Sequence, residues 1–225
     1  MPPTLPLLLG LLALGSGAPL ARPAFDVITD IRKGLRVVVD TRDSQARSVD
    51  GFLPGSLQAE EFSRKEVPKV DISSAIFLVD TAKVEAEICT EGVTCYTGTL
   101  EPFADIVVFP EDVDFEALTT LLERKKVVLI DVRRPEELIT DGQIPGSVNL
   151  PLQDIPDAFS LNDEVFEDTY GFEKPRPEEN NLVLTCRSGR RILVAQERME
   201  ALGYTSLRLF RESINGWKAK KGPLV

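Results

Sequence analysis

The ten residues Leu182-Val183-Leu184-Thr185-Cys186-Arg187-Ser188-Gly189-Arg190-Arg191 decide how this chain is read. Three apolar residues predict a short buried strand, with a cysteine where the strand ends. A tight turn holding one glycine and three arginines follows. Ile192 through Leu202 then reads as a helix, with Gly203 as its stop signal. Strand, cysteine loop and helix in this order hold a thiol over the positive end of a helix. Backbone N–H groups of the loop are then free to point at whatever charge the sulfur carries. The helix terminus and the arginines both favour thiolate over thiol, so Cys186 is expected to be nucleophilic near neutral pH.

The chain contains a second copy of its own later part. Val37-Val38-Val39-Asp40-Thr41-Arg42 matches Val128-Leu129-Ile130-Asp131-Val132-Arg133 at an offset of 91 residues. Asp50-Gly51-Phe52-Leu53-Pro54-Gly55-Ser56 matches Asp141-Gly142-Gln143-Ile144-Pro145-Gly146-Ser147 at the same offset. Phe25-Asp26 and Phe115-Glu116 each open an amphipathic helix upstream. The strands are short β-branched runs with little alternation, which predicts burial on both faces and a parallel sheet. Strands alternating with helices give an α/β architecture, with its crevice beyond the carboxyl ends of the strands. Asp131 and Cys186 both fall at such ends. Residues 25–110 are expected to form a degenerate first half, and residues 111–225 the half with the cysteine loop.

The halves diverge after the shared turn. Asp154 through Asn181 is a polar insertion, expected as a surface helix and loop. Thr205 through Phe210 reads as a last strand, and Ile214-Asn215-Gly216-Trp217-Lys218 as the start of a closing helix with Trp217 as a packing anchor. Two alignments place a first-half counterpart to Cys186. The offset of 91 gives Cys95, in Thr94-Cys95-Tyr96-Thr97-Gly98, a relic of a second cysteine loop without arginines. The other sets Phe77-Leu78-Val79-Asp80-Thr81 against the cysteine strand, with Thr81 in place of the thiol. In the Cys95 alignment no long helix can follow the cysteine, and Asp105 through Phe109 reads instead as a strand reached early. Neither alignment supplies an anion cradle, so the first half is expected to be a structural partner.

Composition narrows the chemistry. The chain has 225 residues, 43% hydrophobic and 28% charged, enough for one large domain or two smaller ones. Its net charge of −10 argues against nucleic acid as a partner, so the arginines around Cys186 form a local basic island suited to a small anion. Histidine is absent, which excludes Ser-His-Asp and Cys-His pairs, histidine metal sites and imidazole bases. Three cysteines, Cys89, Cys95 and Cys186, are too few and too irregularly spaced for zinc, and no metal or cofactor is expected. Cys89 and Cys95 either pair or stay free. Residues 1–24 read as a leader, with a ten-residue apolar run, Leu5 to Leu14, too short to span a bilayer. A secretory signal is expected ahead of a mitochondrial presequence, with cytoplasmic placement if the leader does not function.

Residues 111–220 resemble a rhodanese domain. The resemblance rests on Leu129-Ile130-Asp131-Val132-Arg133, Gly142 through Pro151, Cys186-Arg187-Ser188-Gly189-Arg190-Arg191, and Gly216-Trp217. The insertion ending in Glu173-Lys174-Pro175 and the cysteine loop are similar to small single-domain thiosulfate sulfurtransferases, including those using glutathione. Residues 25–110 resemble a degenerate half of a tandem member. One departure is Gln143, where many members carry histidine; it is expected to affect packing more than activity.

The resemblance implies a rhodanese-like parallel sheet flanked by helices and a ping-pong sulfur transfer. The Cys186 thiolate takes the outer sulfur of thiosulfate, sulfite leaves, and an acceptor such as cyanide, glutathione or a protein thiol removes the persulfide. A populated thiolate needs no general base. Amides from Arg187 to Arg191, with Ser188 and Gly189 among them, would stabilise the persulfide. One or more of Arg187, Arg190 and Arg191 would bind the sulfonate, with Arg191 the first choice. Asp131 and Arg133 are expected to support the loop rather than transfer protons.

Two rivals share the scaffold. A phosphatase or arsenate reductase uses a loop one residue longer, and residue 192 is Ile rather than Arg. A non-catalytic binding or regulatory module would have no need of the thiol. An inert core cysteine is not expected either, because three arginines in the next five positions oppose burial.

Overall fold

The computed structural model describes residues 37–53, 55–58, 75–78, 94–96, 100 and 107–225. The leader, the helix expected at Phe25, and Cys89 lie outside the described residues. The chain divides between Val108 and Phe109 into two compact units.

In the first unit, strands β1 (Val37–Asp40), β2 (Leu57–Gln58), β3 (Ala75–Leu78) and β4 (Thr94–Tyr96) form one sheet in the order β2-β1-β3-β4. All pairings are parallel. Helix α1 (Ser44–Asp50) starts at Asp43, whose carboxylate accepts the Ala46 amide at 2.7 Å. Beyond the strands, the described part of the early strand expected at 105–109 makes one bridge, Val108 opposite Phe52.

The second unit repeats this sheet. Its elements are α2 (Phe115–Glu123), β5 (Val128–Asp131), α3 (Pro135–Asp141), β6 (Val148–Asn149), α4 (Ile155–Ala158), α5 (Asp163–Tyr170), β7 (Leu182–Thr185), α6 (Arg191–Glu200), β8 (Arg208–Leu209) and α7 (Ser213–Ala219). Strand order is β6-β5-β7-β8, again all parallel. Val39 pairs with Leu57 in the first sheet and Ile130 with Val148 in the second, so the offset of 91 holds across both strands of the pair.

That register corrects both counterparts of Cys186. Asp40 pairs with Leu78, and Asp131 with Thr185. The next residue in sequence is Cys186 in one half and Val79 in the other, two positions before Thr81. Cys95 lies in β4, paired with Phe77, a strand rather than a loop. The constant offset fails because the insertion lengthens the second half between its second and third strands.

The core explains why the apolar runs lack alternation. Leu129, Ile130, Leu182, Val183 and Leu184 are fully buried, as central parallel strands require. Ile192, Ala195 and Met199 present one face of α6 to them. The insertion is less superficial than expected. Ile155, Ala158 and Phe166 are buried, and the Phe166 ring sits 4.9 Å from Tyr170 and 5.1 Å from Phe172. Its acids face outward while a helical spacing of apolar residues joins the core. The last strand is shorter than the six residues expected: only Arg208 and Leu209 pair. Trp217 is buried, 4.8 Å from the Phe115 ring, and its indole N–H donates to the Pro223 carbonyl at 2.7 Å.

Candidate active site

Strand β7 delivers Cys186 to the carboxyl end of the sheet, between the strand and α6. Its neighbour β5 ends there in Asp131. The side chains of Asp131 and Arg133 are both fully buried and bonded to each other. Arg133 Nε donates to Oδ1 at 3.0 Å and to Oδ2 at 2.9 Å, and its Nη2 reaches Oδ2 at 2.7 Å. The same Nη2 donates to the Gly142 carbonyl at 2.9 Å, which ties the end of α3 to the end of β5. Asn149 adds two bonds from its side-chain amide, to the Asp131 and Arg133 carbonyls at 2.8 and 2.9 Å. Removing one member of a pair buried this deeply leaves the other without its partner, which is costly.

Cys186 itself is 1% exposed. The arginines do not keep it out of the interior, contrary to expectation, because their long stems carry the charged heads outward while the loop wraps its amides around the sulfur. Gly189 donates its amide to Sγ at 3.2 Å. Gly189 has φ +81°, and a Cβ there would lie 2.3 Å from the Arg211 carbonyl oxygen, so only glycine lets the loop close this tightly.

The segment after β8 closes the site from the other side. Ser213, fully buried, accepts the Cys186 amide at 3.2 Å, and its hydroxyl lies 3.5 Å from Sγ. The Phe210 carbonyl, 3.0 Å from the same hydroxyl, competes with the sulfur for its one proton. Ile214 and Asn215 donate their amides to the Cys186 and Arg187 carbonyls at 3.0 and 3.1 Å. Ser213 holds φ +53°, a conformation a serine adopts only where its surroundings demand it. Burial pushes the Cys186 thiol up, but the Ser213 hydroxyl and the amides of Ser188, Ile192 and Arg191 outweigh it and bring the thiol below its ordinary range. Sequence reasoning missed Ser213. Its only local signal is a small polar residue at a helix start, 27 positions from the cysteine.

The three loop arginines separate. Arg191, the arginine expected to reach an anion, makes a two-pronged pair with Glu137 at 2.6 and 2.7 Å. That pair, with help from the Arg134 amide, holds the Glu137 carboxyl down to about 2. Arg187 lies 3.7 Å from Asp141, and Arg190 is exposed. An open cleft of about 790 Å³ lies beside the loop, lined by Val132, Arg134, Glu136, Glu137, Arg187 and Arg191 among others. Cys186 does not line it, but residues on both sides of the loop do. Among the described residues, no cluster of histidine, cysteine or carboxylate side chains is arranged to hold a metal ion.

Comparison with known proteins places this geometry. Residues 114–220 match the rhodanese-like domain family. A rhodanese domain-containing protein of Drosophila melanogaster is 37% identical over 108 residues, 48% of this chain and 96% of the relative. A human thiosulfate:glutathione sulfurtransferase is 34% identical over 48% of this chain and 94% of its own length. A mitochondrial thiosulfate sulfurtransferase of Saccharomyces cerevisiae is 32% identical over half of this chain and 76% of the relative. With its motif residues on a parallel α/β sheet and the fly and human relatives matched over nearly their whole length, this chain belongs to the rhodanese-like domain family.

Proposed function

We propose that the chain is a sulfurtransferase in which Cys186 carries sulfane sulfur as a persulfide. The observation that carries this reading is the surround of the Cys186 sulfur: loop amides and the Ser213 hydroxyl favour its anion despite burial. A thiolate attacks the outer sulfur of a donor such as thiosulfate. The sulfur–sulfur bond of the donor breaks with its electron pair, and sulfite leaves. The amides then face the charge of the bound persulfide, and a thiol or cyanide removes the terminal sulfur to restore the thiolate. Ser188, Gly189 and Arg190 form the wall of this cradle; Arg187 and Arg191 stand at the cleft where an anion enters. Asp131 and Arg133 brace the loop from beneath. Relatives named for thiosulfate and glutathione support the donor and acceptor classes. The yeast relative likewise supports a mitochondrial setting. No helix among the described residues is long and apolar enough to cross a membrane.

The test is turnover of thiosulfate with cyanide and with glutathione, on the full chain and on Cys186→Ser. Wild type should turn over and gain one sulfur atom by intact mass after donor treatment; the variant should do neither. Activity surviving in the variant would move the sulfur to another cysteine. A wild type inert with every sulfane donor would leave the binding-module reading in its place.

A further inference from the structure

The cleft beside the Cys186 loop holds three guanidiniums, Arg134, Arg187 and Arg191, against two carboxylates, Glu136 and Glu137. Two of the three guanidiniums are already engaged from one side of α3. Glu137 grips Arg191 through both terminal nitrogens at 2.6 and 2.7 Å. Asp141, one turn further along α3, lies 3.7 Å from Arg187 and 3.5 Å from Lys218. Glu137 and Asp141, spaced i and i+4 on α3, meet Arg191 at the start of α6 and Arg187 in the loop before it. Arg134 has no carboxylate partner for its guanidinium among the described residues.

A guanidinium inside a two-pronged pair is locally close to neutral. An anion approaching it meets the carboxylate as well as the cation, and a dianion meets twice the repulsion of a monoanion. Glu137 keeps this charge at any working pH, since Arg191 and the Arg134 amide hold its carboxyl at about 2. Counting the lining groups, the cleft offers one net positive charge, a match for one negative charge on the entering molecule.

We propose that Glu137, with Asp141 behind it, is a specificity-determining residue that neutralises the loop arginines and tunes the cleft towards singly charged sulfur donors of the organic thiosulfonate class, R–SO₂–S⁻, over dianionic thiosulfate. This rests on the sulfur-transfer reading of the site. The step balances without any added oxidant or reductant. The Cys186 thiolate pair forms a bond to the terminal sulfur, the donor's sulfur–sulfur bond breaks, and its pair leaves on the sulfinate, R–SO₂⁻.

Two measurements on the full chain test it. In turnover with cyanide, Glu137→Gln should lower the KM for thiosulfate about fivefold and that for methanethiosulfonate about twofold, with kcat within about twofold of wild type. Asp141→Asn should move both the same way by less. In the second measurement, sulfite and methanesulfinate protect Cys186 from iodoacetamide, and Glu137→Gln should strengthen protection by sulfite more than by methanesulfinate. That readout needs no turnover, so failure of sulfur transfer is told apart from failure of charge selection. Equal changes in both KM values, or protection by the two anions shifting alike, would overturn the proposal and leave Glu137 as a mere support of Arg191.

Discussion

In the first unit, Arg42 bonds both oxygens of Asp40 at 2.9 and 2.7 Å and the Gly51 carbonyl at 2.8 Å. In the second, Arg133 does the same to Asp131 and Gly142. Gly51 and Gly142 have φ of 76° and 74°, and Ser56 and Ser147 each donate an amide three residues back at 3.0 Å. The repeat is thus a repeated hydrogen-bond frame as well as a repeated string of letters. The two units part company after their third strands. Cys186, Gly189 and three arginines come after β7, whereas Val79, Asp80 and Thr81 come after β3 in the sequence. The frame carries fold, and the loop hung from it carries the proposed chemistry.

The comparison breaks most sharply at the cysteines. Cys186→Ser should lower sulfur transfer by at least about a thousandfold, as loss of a covalent nucleophile does. Cys95→Ser, in a strand of the other unit, should leave turnover within about twofold. Comparable losses in both variants would make the halves functionally equivalent, and the reading of β4 as structural would fail.

Next come the frames. Arg133→Ala strands a buried Asp131 carboxylate and should cost about 3–5 kcal/mol in urea unfolding, followed by the fluorescence of the single tryptophan, Trp217. Arg42→Ala should sit at the lower end of that range, since Arg42 keeps 9% exposure, and circular dichroism is its monitor. A negligible effect at Arg133 would mean the frame is not structural.

Glycines give a smaller contrast. Gly55→Ala meets nothing within 4 Å and should cost only the left-handed backbone penalty, about 1–2 kcal/mol. Gly189→Ala adds the clash with the Arg211 carbonyl. It should shift the midpoint further and remove turnover along with it.

The subtlest effect is at Ser213. A thiol brought below its ordinary range is ionised above that lowered value and protonated below it. The iodoacetamide rate of Cys186 should therefore climb with pH through a midpoint below 9, the ordinary thiol value. Ser213→Ala removes a bond to the anion and should move that midpoint upward. An unmoved midpoint would assign the lowering to the loop amides alone.

Much of this molecule was legible because its signals are local. Strand, loop and helix around Cys186 each announce themselves within a few residues, by a β-branched run, a glycine turn and an apolar face of helical period. The Asp-x-Arg and Asp-Gly-x-x-Pro-Gly-Ser stretches were legible for a related reason: the frame they build spans about a dozen residues, so its partners appear together in both copies. Those features the chain itself determined. Tertiary structure alone decided the rest. Ser213 meets Cys186 across 27 residues, and Glu137 meets Arg191 across 54. Register paired Asp40 with Leu78 as it paired Asp131 with Thr185, so neither Cys95 nor Thr81 is the residue that follows the third strand as Cys186 does. Burial of Cys186 followed from how the loop folds back against the turn at Arg211. No periodicity encodes such meetings, because packing brings them about only after strands and helices have formed.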